Sequence, residues 1–199
     1  MFWNKIAPLY DFFEEIYNKK VYLNTGKTVA AYIKKTDDVL ECACGTGAIS
    51  VWIAKKCKTL VATDLAKGML KRAAKKCSTY ENVHFEEADI TNLRYEADRF
   101  DKVIAGNVIH LLENPKKAID ELERVTKPGG LMIIPTYINQ AKNSNGLAIR
   151  VLEIIGADFK RQFDLNTYRE FFKNLGYETV TYHVIDGRMP CAIAMIRKP

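Results

Sequence analysis

The chain has 199 residues, enough for one α/β domain with a full core and too few for two. Its 48% hydrophobic and 27% charged content is that of a soluble globular protein. No run reaches the roughly 18 apolar residues of a membrane span, and the N-terminus lacks the residue order of a secretory signal, so a cytoplasmic location is expected. The formal charge of +6 invites a nucleic-acid partner, but its distribution argues for a solvated helix face instead. Residues 48–80 hold eight Lys or Arg against Asp64 alone, and those between 67 and 76 lie opposite Met69, Leu70, Ala73, Ala74 and Cys77.

Residues 1–20 carry an apolar stripe of Leu9, Tyr10, Phe12, Phe13, Ile16 and Tyr17 that is broader than one packing surface requires. Val21 to Lys35 reads as a helix with Val21, Thr25, Val29 and Ile33 inward. Strands are then expected near 38–42, 59–63, 83–87, 100–105 and 131–135, separated by helices near 48–57, 67–77 and 115–126. Right-handed crossovers make this a parallel sheet with ligands at the carboxyl ends of its strands. Pro128-Gly129-Gly130 is expected to end the third of these helices sharply. A polar loop at 139–146 leads to a short apolar helix at 147–155. Thr167-Tyr168-Arg169-Glu170 reads as a capping box opening a last helix with Tyr168, Phe171, Phe172 and Leu175 inward. Strands near 178–185 and 191–196 form a closing hairpin.

The stretch Val39 to Ser50, VLECACGTGAIS, carries the chemistry. It reads as strand, glycine turn and helix, in which Gly45 and Gly47 permit positive φ and leave room for a ligand against the main chain. Seventeen residues past Gly47, the second strand ends in Asp64, a carboxylate placed to accept both hydroxyls of a ribose. Dinucleotide enzymes and S-adenosylmethionine enzymes both use this arrangement. The fingerprint GxGxxG would need glycine at 50, where Ser50 stands. An acidic residue followed by GxGxG fits Glu41, Cys44, Gly45, Thr46 and Gly47, with Ala43 in place of the first glycine. Ala43 is expected at negative φ, since a left-handed L-residue costs about 1 kcal/mol or more. A left-handed Ala43, or a methyl blocking the groove, would favour a degenerate binding protein.

Three further segments follow: VHFEEADITNL with Asp89, FDKVIAGNVIHLL with Asn107 and His110, and LERVTKPGGLMII. With them, the chain resembles the class I S-adenosylmethionine-dependent methyltransferases, in particular the small-molecule branch similar to the enzymes of quinone biosynthesis. The likeness covers residues 36–135 strongly and the remainder loosely. It implies a Rossmann-like α/β fold, a mostly parallel seven-stranded sheet with an antiparallel last strand and helices on both faces. It implies one domain: a helical lid at 1–35, the cofactor core at 36–135, an acceptor-side insertion at 136–163, and a C-terminal helix and hairpin at 164–199.

The resemblance brings Glu41, Gly45 and Gly47 to the methionine portion of S-adenosylmethionine, Asp64 to the ribose, Asp89 with Ile90 to the adenine, and Asn107 to the amino-acid backbone. Ala43, Cys44, Leu65 and Met69 belong to the same cofactor site, and Tyr10 reaches the methionine end from a lid that orders over the ligand. His110 is the candidate catalytic base, since imidazole takes a proton near neutral pH, although packing or cofactor shaping is the alternative role. The expected acceptor is a small organic molecule; RNA methylation, nucleotide-dependent oxidoreduction and noncatalytic cofactor binding are the competing readings.

The cysteines at 42, 44, 57, 77 and 191 fall in apolar faces or in the ligand turn, as reduced thiols do. Cys42-x-Cys44 lacks a partner pair elsewhere, so no metal site is expected. Pro190-Cys191 is similar to the nucleophile dipeptide of cytosine C5 methyltransferases but stands in the last hairpin, not after the fourth strand.

Overall fold

The computed structural model describes residues 17–139 and 160–199. The elements are α1 (Lys19–Ala30), β1 (Asp38–Cys42), α2 (Ser50–Ala54), β2 (Thr59–Asp64), α3 (Lys67–Lys76), β3 (Val83–Glu87) and β4 (Phe100–Ala105). A 3-10 turn at Ile109–Leu111 follows, then α4 (Pro115–Val125), β5 (Thr126–Tyr137), α5 (Leu165–Asn174), β6 (Val180–Ile185) and β7 (Cys191–Arg197).

The seven strands form one sheet in the order β3-β2-β1-β4-β5-β7-β6. β1 to β5 pair in parallel, and β7 runs antiparallel to both β5 and β6. Because β1, β2 and β3 step one way and β4 and β5 the other, the order reverses between β1 and β4. Loops leaving the carboxyl ends of that pair diverge and open a crevice.

Helices cover both faces. On one, Val21 and Val29 of α1, Ile53 of α2 and Ala73 of α3 pack on Val39, Leu60, Ile104 and Ile133. On the other, Ile119 and Leu122 of α4 and Tyr168 and Phe172 of α5 pack on Leu40, Val103, Met132 and Ala194. The Tyr168 hydroxyl, fully buried, donates to the Ile134 carbonyl at 2.7 Å, so its polar tip has a partner inside the core.

Several expectations are corrected. The helix after the ligand turn spans only Ser50–Ala54, because the chain from Thr46 to Ile49 is spent on the turn itself. α4 ends at Val125, but Lys127 to Gly130 do not form a free connection. They bulge within β5, whose pairing with β4 jumps from Phe100↔Thr126 to Lys102↔Leu131. Gly129 supplies a φ of 71° there. The cap of α5 is Asp164, whose carboxylate accepts from the Thr167 N–H while the Thr167 hydroxyl accepts from the Asp164 N–H. Phe171 and Leu175 are only half-buried beside Tyr168 and Phe172. The lid stripe up to Ile16 and the helix expected at 147–155 lie outside the described residues. Among the described residues no helix is long and apolar enough to cross a membrane.

Candidate functional site

The turn after β1 is held from three sides. Cys44 N–H donates to the Thr63 carbonyl at 2.9 Å, Gly47 N–H to the Cys44 carbonyl at 3.0 Å, and Gly106 N–H to the Cys42 carbonyl at 2.9 Å. Within this frame Ala43 has a φ of 53°, which corrects the expectation of negative φ. Its carbonyl lies so close to Gly106 that a Cβ there would stand 2.8 Å away. Ala43 thus holds a conformation glycine would take freely, and the residue bears the steric cost.

The two glycines have different tasks. A Cβ on Gly45 would meet nothing within 4 Å, so this side of the turn is open to a ligand. A Cβ on Gly47 would stand 3.0 Å from the Cα of Ala73, so Gly47 lets α3 pack closely against the turn. Asp64 ties the turn to β2: Oδ2 accepts from Gly45 N–H at 2.9 Å and Oδ1 from Ala66 N–H at 2.8 Å. Burial holds its carboxyl above the usual range, with the backbone donors opposing that shift.

A cleft of about 230 Å³ opens at this reversal of strand order. Ala43, Gly45, Asp64, Leu65 and Met69 line it from the β1 and β2 side, and Asp89, Ile90 and Asn107 from β3 and β4. Asp89 also serves its own turn, accepting from the N–H and hydroxyl of Thr91 at 2.8 Å each through Oδ1. Asn107 sits at a φ of 50°, its Oδ1 3.8 Å from the Sγ of Cys191. The closing hairpin thus brings Cys191 back to the end of β4, which its sequence position conceals.

Glu41 and Cys44 lie beneath the cleft. Glu41 is wholly buried; Ser50 donates to its Oε2 at 2.5 Å, and Oε1 has no hydrogen-bond partner among the described residues. Burial pushes this carboxyl up to about 8, the Ser50 bond opposes, and the neighbouring Asp64 adds to the rise. Cys42 and Cys44 belong to opposite cores, and burial raises both thiols, Cys42 to about 12. Tyr10 lies outside the described residues.

His110 is in the 3-10 turn, 4% exposed, with Nδ1 2.9 Å from the Thr136 hydroxyl oxygen. Its carbonyl accepts from Arg161 N–H at 3.1 Å, and burial lowers the imidazole to about 4. The cleft wall is formed instead by its neighbours Val108, Leu111 and Leu112, with Ala88 and Gly106. Sequence reasoning missed these five. The apolar run after β4 and the glycine ending that strand are the signals that could have found them.

A family model described as a methyltransferase domain matches residues 40–134, from β1 through most of β5. That is just under half of the chain, which is similar there to methyltransferase domains. The chain is 36% identical over 96 residues to a demethylmenaquinone methyltransferase of Clavibacter sepedonicus, covering 48% of this chain and 39% of that protein. It is 28% identical over 193 residues to a malonyl-[acyl-carrier protein] O-methyltransferase of Halalkalibacterium halodurans, covering 87% and 68%. The chain thus spans well under half the length of the first relative and about two thirds of the second. Among solved structures, an S-adenosylmethionine-dependent methyltransferase of Thermotoga maritima, a possible histamine N-methyltransferase, superposes with a TM-score of 0.79 at 15% identity, covering 100% of this chain and 99% of that one.

Proposed function

We propose that this chain is a methyltransferase that transfers the methyl group of S-adenosylmethionine to a small organic acceptor, with the cofactor held in the cleft between the ends of β1, β2 and β4. The observation that carries the reading is the pairing of an open Gly45 with Asp64. The glycine leaves the main chain bare, and both carboxylate oxygens of Asp64 are oriented by backbone N–H groups. Each oxygen keeps a further lone pair, which suits a ribose diol. Leu65 and Met69 supply apolar walls, Asp89 with Ile90 an edge for the adenine, and Asn107 a polar group for the amino-acid end. Bound S-adenosylmethionine supplies a methyl already activated as a sulfonium. The task left to the chain is to align the acceptor in line with that methyl and to exclude water. His110, neutral and bonded to Thr136, shapes this wall from behind.

The relatives named as a demethylmenaquinone methyltransferase and a malonyl-[acyl-carrier protein] O-methyltransferase support a quinone-like or an oxygen acceptor. The test is a labelled-methyl screen over phenols, quinol precursors, carboxylates, thiols and amines, in which the reading expects transfer to at least one class. Ala43 favours a second reading, a noncatalytic S-adenosylmethionine-binding protein, because it stands left-handed in the lining of the cleft. Cofactor binding with no transfer to any class would favour that reading.

A further inference from the structure

Residues 17–80 hold thirteen Lys or Arg against four acids, and twelve of the thirteen are lysine. None of the four acids offsets the surface charge freely. Asp37 and Glu41 are buried, Asp38 is engaged by Lys58 and Thr59, and Asp64 faces the cleft. The three helices of this segment share one side of the sheet. α3 is tied to α1 by Lys76 Nζ, 3.0 Å from the Tyr22 hydroxyl. Lys20, Lys27, Lys55, Lys56, Lys71 and Lys75 are all exposed on it. The opposite side is different in kind: on α4, Lys116 pairs with Asp120 and Arg124 with Glu121.

We propose that the face formed by α1, α2 and α3 docks the protein on an anionic lipid bilayer. The chemistry of the charges favours this partner over two others. Nucleic-acid readers rely on the planar fork of arginine and on free aromatic faces for stacking. Here lysine supplies the charge, and Trp52 is wedged at the junction of α1 and α2, with the Lys27 and Lys55 ammonium groups 5.6 and 4.9 Å from its ring centroid. A side chain at Gly26 would collide with that indole, so the ring is packed against the α1 backbone. Protein interfaces are depleted of lysine and need an apolar centre. A plane of lipid headgroups needs neither register nor an apolar centre, and each lysine brought to it strengthens partitioning by about fivefold. Because α3 carries Met69 on the cleft wall and Lys71 and Lys75 on this face, docking would set the cleft beside the bilayer.

The test is co-sedimentation of the whole chain with vesicles of phosphatidylcholine doped with phosphatidylglycerol, against pure phosphatidylcholine. Binding is expected only to the doped vesicles and is lost between about 0.1 M and about 1 M salt, as the Debye length falls from about 10 Å to about 3 Å. The combined variant K20Q/K56Q/K71Q/K75Q, with an unchanged thermal midpoint, loses about a hundredfold or more in partitioning. Removing the same number of charges from α4 and α5, as K116Q/K117Q/R169Q/K173Q, changes it less than about threefold. Absence of vesicle binding at low salt, or equal losses in the two variants, overturns the proposal. So does tighter capture by single-stranded RNA, if the first variant abolishes that capture and leaves vesicle binding intact.

Discussion

The Ser50 hydroxyl lies 2.5 Å from Oε2 of Glu41, a carboxyl with no exposed surface. This single donor joins the end of β1 to the start of α2 across the ligand turn. Burial outweighs it and holds the carboxyl protonated up to about pH 8, against an ordinary value of 4.5. The unfolded chain loses this proton above its ordinary value while the folded chain keeps it. Stability is therefore fully present below about pH 4.5 and declines as pH rises through about 8, by roughly 1.4 kcal/mol per unit for one full proton. Glu41→Gln keeps the shape and removes the proton, so its stability relative to the parent should improve steadily with pH. Urea unfolding at several pH values checks this; parallel curves would contradict it.

Ala43 stands at a φ of 53° in a turn whose backbone lies hard against Gly106. Ala43→Gly should relieve about 1 to 2 kcal/mol of backbone strain, less about 0.4 to 1 kcal/mol for the freer unfolded chain. A rise in the thermal midpoint is expected. A less stable Ala43→Gly variant would show that the methyl packs productively against the cleft wall.

Burial lowers His110 to about 4. Its contribution to stability is thus present above about 6.5 and is lost as pH falls toward 4, because the unfolded chain takes up a proton that the folded chain refuses. His110→Gln should flatten the acid side of the stability profile, reduce the maximal methyl-transfer rate by less than about a hundredfold, and leave the ionisations in its pH profile unchanged. A larger loss with cofactor affinity intact would make the imidazole an obligatory base.

The strands and their mostly parallel pairing were legible because each parallel strand is a short apolar run closed by a turn signal, as in Val39 to Cys42 and Val103 to Ala105. The site was legible where chemistry restricts residue type, at Gly45 and Asp64. Ala43 was misread because its turn is packed against Gly106, sixty-three residues away, a contact that local propensity does not reveal. The approach of Cys191 to Asn107 is likewise a product of the antiparallel return of β7. The true cap of α5 was missed because Thr167 and Glu170 match the cap spacing as well as Asp164 and Thr167 do.

The central claim is that Asp64 and the open turn at Gly45 hold the cofactor. Calorimetric titration with S-adenosylhomocysteine tests it most directly. Removing a charged acceptor from two ribose hydroxyls costs about 1.5 to 3 kcal/mol, so Asp64→Ala should raise a micromolar dissociation constant at least about tenfold. Asp64→Asn, which keeps one acceptor oxygen, should fall between the two. An unchanged dissociation constant in Asp64→Ala would contradict the placement of the cofactor in this cleft.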